Sequence, residues 1–162
     1  MTVVNQQNLI ARDNFRNARL LIVEDNPDHA YIINKAVRHC LPEVKPIFAS
    51  TEAEALAYLA QCERDECILP KLILLDLYLP DSQSGWRLLD QFKTLPSPVS
   101  KVPVVLLSSS TNHSDIREAY KRGCSSYLVK PTRFDSWLAY FQTLRSYWWE
   151  TATLPKDEVV LF

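Results

Sequence analysis

The sequence carries almost no net charge: 18 Lys and Arg stand against 19 Asp and Glu, a formal charge of −1. Such a balance favours neither nucleic acid nor an acidic membrane surface as a partner. Long apolar runs are missing as well. The longest span a few residues, far short of the ~20 needed to cross a bilayer. No basic stretch followed by a long apolar core opens the chain, so no signal peptide is expected and a cytoplasmic location is. The four cysteines, Cys40, Cys62, Cys67 and Cys124, lack CxxC spacing and have no paired histidines beside them. That excludes the usual zinc patterns and predicts four reduced thiols. Internal repeats and low-complexity stretches are absent. The 162 residues are enough for one domain with a real core and too few for two.

Four short apolar runs are present, and each ends on a polar residue able to do chemistry. Leu20–Val23 ends at Glu24 and Asp25, Leu72–Leu75 at Asp76, Val102–Leu107 at Ser108, and Tyr127–Val129 at Lys130 and Pro131. Short continuous runs of Val, Ile and Leu read as strands buried on both faces of a parallel sheet. Ligands of such sheets bind outside the carboxyl ends of the strands. The pattern therefore predicts three carboxylates, a hydroxyl and an ammonium at one edge.

Helices are predicted between the strands at Asp28–His39, Glu52–Gln61, Trp86–Leu95, Asp115–Arg122 and Phe134–Trp149, with a further strand at Lys45–Ala49. Thr51-Glu52-Ala53-Glu54 is a capping-box pattern, Pro96 and Pro98 stop the third helix, and Gly123 suits a left-handed C-cap. Five strand–helix alternations predict an α/β, doubly wound, five-stranded parallel sheet. Strand order 2-1-3-4-5, the flavodoxin-like version, sets the first and third strands side by side. Glu24, Asp25 and Asp76 then come from neighbouring strands.

Taken singly, each residue has a plainer reading. Glu24-Asp25 is an N-cap cluster, Asp76 a loop acid, Ser108 a turn residue, Lys130 a solvated amine. Taken together they fit phosphoryl transfer. Asp76 is placed as a nucleophile toward phosphorus, giving an acyl phosphate. Three clustered carboxylates repel one another until a divalent cation joins them. Mg²⁺ takes oxygen ligands in an octahedron and keeps several waters. Asp25 and Asp76 are the direct ligands expected, with Glu24 holding a metal-bound water. Three carboxylates, a +2 ion and Lys130 sum to zero charge.

Glu24-Asp25, Asp76 with Leu79-Pro80 and Gly85, Ser108, Tyr127 and Lys130-Pro131 resemble the receiver domain of two-component response regulators, over about residues 19–149. The run from Tyr147 to Pro155 is similar to the end of the small response regulators paired with cyanobacterial phytochromes. The resemblance implies the receiver fold, with Asp76 as phosphoacceptor from a sensor histidine kinase, a phytochrome by the C-terminal run. It implies a Tyr78 backbone carbonyl on the metal and a cis Lys130-Pro131 bond that brings Lys130 into the site. Ser108 and Tyr127 become the switch pair: a hydroxyl that moves to a phosphoryl oxygen, and a ring that fills the space left. Residues 1–18 are expected to be a flexible extension or a short extra helix, and residues 150–162 a tail with no output domain. The protein would then catalyse only its own phosphotransfer and dephosphorylation and signal through protein contacts.

The stretch from Asp76 to Gly85 is one residue longer than in the usual receiver, and Tyr78 is bulky for its place beside a phosphoryl group. His29, His39 and His113 lack ligand spacing and read as surface or boundary residues. On the last helix, Trp137, Tyr140, Leu144, Tyr147, Trp148 and Trp149 cover more arc than a helix on a sheet needs. They predict a self-association surface and a two-fold homodimer, unless the chain's own tail covers them. Two other classes remain. An Asp-nucleophile phosphatase needs a second acid where Tyr78 stands, and a flavin carrier needs a phosphate-cradling loop where Glu24 and Asp25 would repel phosphate. A phospho-independent pseudo-receiver is a third alternative, although no functional position of the pattern is missing.

Overall fold

The computed structural model describes residues 6–64 and 68–155. The elements run α1 (Gln6–Phe15), β1 (Arg19–Val23), α2 (Pro27–Cys40), β2 (Lys45–Ala49), α3 (Glu52–Arg64), β3 (Leu72–Asp76), α4 (Ser82–Thr94), β4 (Val104–Ser108), α5 (His113–Lys121), β5 (Ser126–Val129) and α6 (Phe134–Leu144). A 3₁₀ turn at Val99–Lys101 precedes β4, and a π-helical turn at Arg145–Trp149 follows α6. The strands are all parallel in the order β2-β1-β3-β4-β5, as the sequence pattern predicts. The fourth strand starts at Val104, because Val102 closes the 3₁₀ turn with its N–H on Val99 O.

Strand side chains alternate between the two faces. Leu21, Val23, Ile73, Leu75, Val104 and Leu106 face α3 and α4, where Leu59, Leu88, Leu89 and Phe92 complete one core. Leu20, Ile22, Leu72, Leu74, Val105 and Leu107 face α2 and α6, against Ile33, Val37, Trp137 and Phe141. β1, β3 and β4 are thus covered on both sides, which is why they read as unbroken apolar runs.

Local signals set the helix ends. Asn26 caps α2, its Oδ1 accepting from Asp28 N at 2.9 Å and His29 N at 3.4 Å, with Pro27 at the first helical position. At α3, Thr51 Oγ1 accepts from Glu54 N (3.1 Å), while the Glu54 carboxylate reaches one residue further back, to Ser50 N (2.8 Å). Helix α4 starts four residues before the predicted Trp86 because Asp81 caps it through Ser84 N (2.9 Å). Gly123 closes α5 at φ +95°, with Cys124 N on Ala119 O and Gly123 N on Tyr120 O. That is the paired-bond ending only a left-handed residue permits. Gly85 has a different reason to be glycine: a Cβ there would overlap the Leu77 carbonyl oxygen.

The largest departure from expectation lies at the far end of α6. The homodimer surface predicted from six residues is corrected by their burial. Trp137, Leu144 and Trp149 are buried inside the chain, Tyr140 and Trp148 are half-buried, and Tyr147 alone is exposed. Two features cause this. The π turn adds a residue to the last turn, with Glu150 N on Arg145 O (3.0 Å) and Ala152 N on Tyr147 O (2.6 Å). One extra residue shifts the phase by about 100°, so Trp149 takes the inward position that an unbroken α-helix gives Trp148. The N-terminal segment then covers it as the helix α1. Phe15 stacks on Trp149 at 6.5 Å, and the buried Asn14 amide donates to Trp149 O (3.0 Å) and Ala152 O (2.6 Å). Cover comes from the start of the chain, and in the tail Leu154 is buried. Tail residues 156–162 lie outside the described residues.

Cys40, Cys62 and Cys124 are buried thiols, and burial pushes Cys124 up to about 11; Cys67 lies outside the described residues. Among the described residues no helix is long and apolar enough to cross a membrane.

Candidate functional site

The parallel register brings the carboxyl ends of β1, β3, β4 and β5 to one edge, and the predicted polar residues follow them there. Val23 pairs with Leu75, Asp76 with Leu107, and Ser108 with Val129. Carboxylate oxygens of Glu24, Asp25 and Asp76 lie within 4.8 Å of one another. Glu24 and Asp76 are buried, at 3% and 5% exposure, while Asp25 is exposed. Lys130 enters from the end of β5: its Nζ lies 2.7 Å from Glu24 Oε2 and 3.2 Å from Asp76 Oδ2.

Lys130 does this without the predicted cis bond. The cis X-Pro bonds among the described residues are Leu79-Pro80 and Ser97-Pro98, and Lys130-Pro131 is trans. Trans is the ordinary state of an X-Pro bond. The ladder hydrogen bond from Lys130 N to Ser108 O (2.8 Å) sets the backbone, and the long side chain supplies the reach.

One ammonium does not balance three acids. Burial raises the Asp76 carboxyl to about 6; the Lys130 charge opposes the rise, and the Glu24 carboxyl adds to it by repulsion and by a hydrogen bond to the protonated form. The metal-free site therefore holds more negative charge than it can comfortably ionise. The donors are all oxygen, close together, and one of them opens to solvent. This set fits a hard divalent cation.

Ser108 is fully buried at the end of β4, and its Oγ accepts from Ser110 N at 3.1 Å. Half-buried Tyr127 packs on the α3–α4 core and donates its hydroxyl to Ser110 O (2.8 Å). Ser110 Oγ donates to Asp115 (2.6 Å). Tyr78, 39% exposed, lies over the same loop, its phenol pushed up by desolvation and then by the nearby Asp115 charge. Its own N–H donates to Asp76 Oδ1 at 3.2 Å. The sequence reading placed Tyr78 at the site but missed Ser110 and Asp115, which follow a strand end that was itself identified.

His29 is the clearest omission. Read as an ordinary boundary residue, it has its Nδ1 3.1 Å from Lys130 Nζ and 3.7 Å from Glu24 Oε1. Partial burial, then the Lys130 charge, holds its imidazole below the ordinary histidine range. A signal existed: His29 stands in the first turn of a helix that starts at the site. His39 and His113 are exposed, as expected.

A family model described as the response regulator receiver domain matches residues 20–142. The chain belongs to the response regulator receiver family. Phosphorylation and Mg²⁺ binding are typical of that family, whose members serve two-component systems. Among curated relatives, a probable methanogenesis regulatory protein, FilR2 of Methanothrix harundinacea, is 34% identical over 80% of this chain and 82% of its own. Response regulator Rcp1 of Synechocystis is 31% identical over 84% of this chain and 92% of its own. Among solved structures, the phosphorylated cyanobacterial phytochrome response regulator RcpA superposes with a TM-score of 0.77 at 31% identity, covering 87% of this receiver and all of that chain. The Mn²⁺-bound form of Rcp1 does so at 0.73 and 30% identity, covering 86% of this receiver and 99% of that chain. This receiver is thus related to phytochrome response regulators.

Proposed function

We propose that this receiver accepts a phosphoryl group on Asp76 from a phosphohistidine of a sensor histidine kinase, a phytochrome by kinship, and signals through contacts that change on phosphorylation. The observation that carries the reading is the convergence of Lys130, Glu24 and Asp25 on one buried carboxylate, Asp76. Lys130 offsets charge on the incoming phosphoryl group. Ser108 Oγ and the Tyr127 ring are the switch: Ser108 Oγ accepts from Ser110 N, an extra anion on Asp76 gives its hydroxyl proton a charged acceptor, and Tyr127 is tied to the same loop.

The metal would be Mg²⁺, held directly by Asp25 and Asp76 with the Tyr78 carbonyl, while Glu24 holds a water on it. Bound there, it supplies the positive charge that lets a phosphoryl group approach three acids. The Mn²⁺ of the Rcp1 structure supports a divalent ion in this type of site.

Residues 19–149 form the receiver proper in this reading, with an N-terminal extension and a C-terminal tail. The protein works in the cytoplasm, catalyses nothing beyond its own phosphotransfer and dephosphorylation, and contacts neither nucleic acid nor membrane. A homodimer would have to rest on Tyr140, Tyr147 and Trp148, and sedimentation at micromolar concentration with and without phosphate tests it. The function is tested by mixing the protein with candidate histidine kinases, phytochromes first, and following phosphate. Acid-stable, base-labile label on Asp76 is expected; full labelling of Asp76→Asn at another residue would sink the assignment. Phosphotransfer at normal rate in excess chelator would remove the metal.

A further inference from the structure

His29, in the first turn of α2, reaches the site but has no part in the phosphoacceptor reading. Its backbone is fixed by the Asn26 cap and by Pro27. Its Nδ1 faces Lys130 Nζ at 3.1 Å. An ammonium has three N–H donors and no acceptor. The Lys130 side chain is only 6% exposed, so water is a poor source of partners. One donor goes to Glu24 Oε2 at 2.7 Å, and a second side of the ammonium faces Asp76 Oδ2 as an ion pair at 3.2 Å. The third is left for His29 Nδ1. Nδ1 can accept only if the ring proton sits on Nε2, and the side chain is 39% exposed, which lets Nε2 donate to water.

We propose that His29 is a positioning residue for phosphotransfer: a neutral, Nε2-protonated imidazole accepts the third N–H of Lys130 and fixes the direction of its ammonium toward Asp76. The kinetic consequence rests on the phosphoacceptor reading, while the hydrogen bond does not. Neutrality matters here. A carboxylate at position 29 would add a fourth acid and draw the ammonium away from Asp76. An apolar residue would leave a buried N–H without a partner, which is costly.

The test uses the full-length, ¹⁵N-labelled protein and its His29→Ala and His29→Asn variants. In the wild type, ring-nitrogen spectra should show Nδ1 unprotonated, with a slowly exchanging Lys130 ammonium signal in contact with the ring. His29→Ala should lose that signal and slow phosphorylation by acetyl phosphate about fivefold, the equivalent of one hydrogen bond. Acetyl phosphate is too small to need a kinase docking surface. His29→Asn, with an acceptor oxygen near the place of Nδ1, should restore signal and rate in part. A protonated Nδ1, or a His29→Ala protein with unchanged Lys130 signal and rate, overturns the proposal. A wild type that shows the hydrogen bond but takes no phosphate overturns the phosphoacceptor reading beneath it, and the positioning role falls with that reading.

Discussion

The two poles of this molecule treat charge in opposite ways. At the carboxyl ends of the strands, three acids share one ammonium, and burial lifts Asp76 to about 6. At the other pole, Arg145 sits between two acids and is satisfied on every side. It meets Glu43 at 2.7 and 3.0 Å, Glu150 at 2.7 Å and the Cys40 carbonyl at 3.1 Å, with the Phe15 ring 4.7 Å away. The Asn14 amide beside it feeds the carbonyls of the π turn. At that pole the charges are balanced within the chain, although the buried Trp149 indole N–H has no partner, while the other pole is short of positive charge. Stability and function are thus separated in space, and substitutions should separate them too.

The sharpest break comes at Asp76. Asp76→Asn should abolish phosphorylation by kinase or acetyl phosphate, measured as base-labile label. The same substitution should make the metal-free protein more stable near neutral pH. The sign follows from the raised carboxyl. Its favourable protonated state is fully present below the unfolded value of about 3.8 and is lost as pH rises through about 6. Ionising it in the folded chain costs on the order of 3 kcal/mol. Denaturant melts in chelator should therefore show Asp76→Asn ahead of wild type at pH 7 and level with it below pH 4. A variant less stable at pH 7 would contradict the account of a charge-short pole.

At the opposite pole the signs reverse. Asn14→Leu removes a buried donor and strands its carbonyls, which should lower stability by about 2 kcal/mol with phosphorylation by acetyl phosphate unchanged. Denaturant midpoints and labelling rates, measured on the same sample, check both halves. Arg145→Met should cost about 1 kcal/mol, since the guanidinium is partly exposed and solvent screens its ion pairs. Its loss should fall as salt is added. Exposed Tyr147→Ala is the smallest, within about 0.5 kcal/mol, and a much larger fall in sedimentation coefficient than in stability would point to a partner copy on that face.

The same contrast explains what the sequence revealed. The site pole was legible because it is built from strand ends. Each buried strand announces itself by an unbroken apolar run, and its last polar residue marks the edge. Glu24, Asp76, Ser108 and Lys130 needed nothing more to be placed together. His29 was legible only by its place in the first turn of α2, because a helix residue one turn past a strand end carries no periodic signature of the direction it faces. At the far pole the failure has two causes. Aromatics on α6 were assigned to faces at a constant 100° per residue, and a π turn breaks that arithmetic at Arg145. The covering helix α1 is polar and weakly patterned, so nothing in Gln6–Phe15 declares a partner. Its Asn14 amide and Phe15 ring reach the π turn.

Gly85 carries a mechanical consequence. With hydrogen in place of a side chain, the first turn of α4 rests directly on the peptide of Leu77, the residue after Asp76. A side chain there would act as a spring, taking up small displacements by rotating. Bare backbone on bare backbone has no such compliance. A shift of the Leu77 peptide would meet α4 as a push on the helix backbone itself, with no side chain between them to take it up.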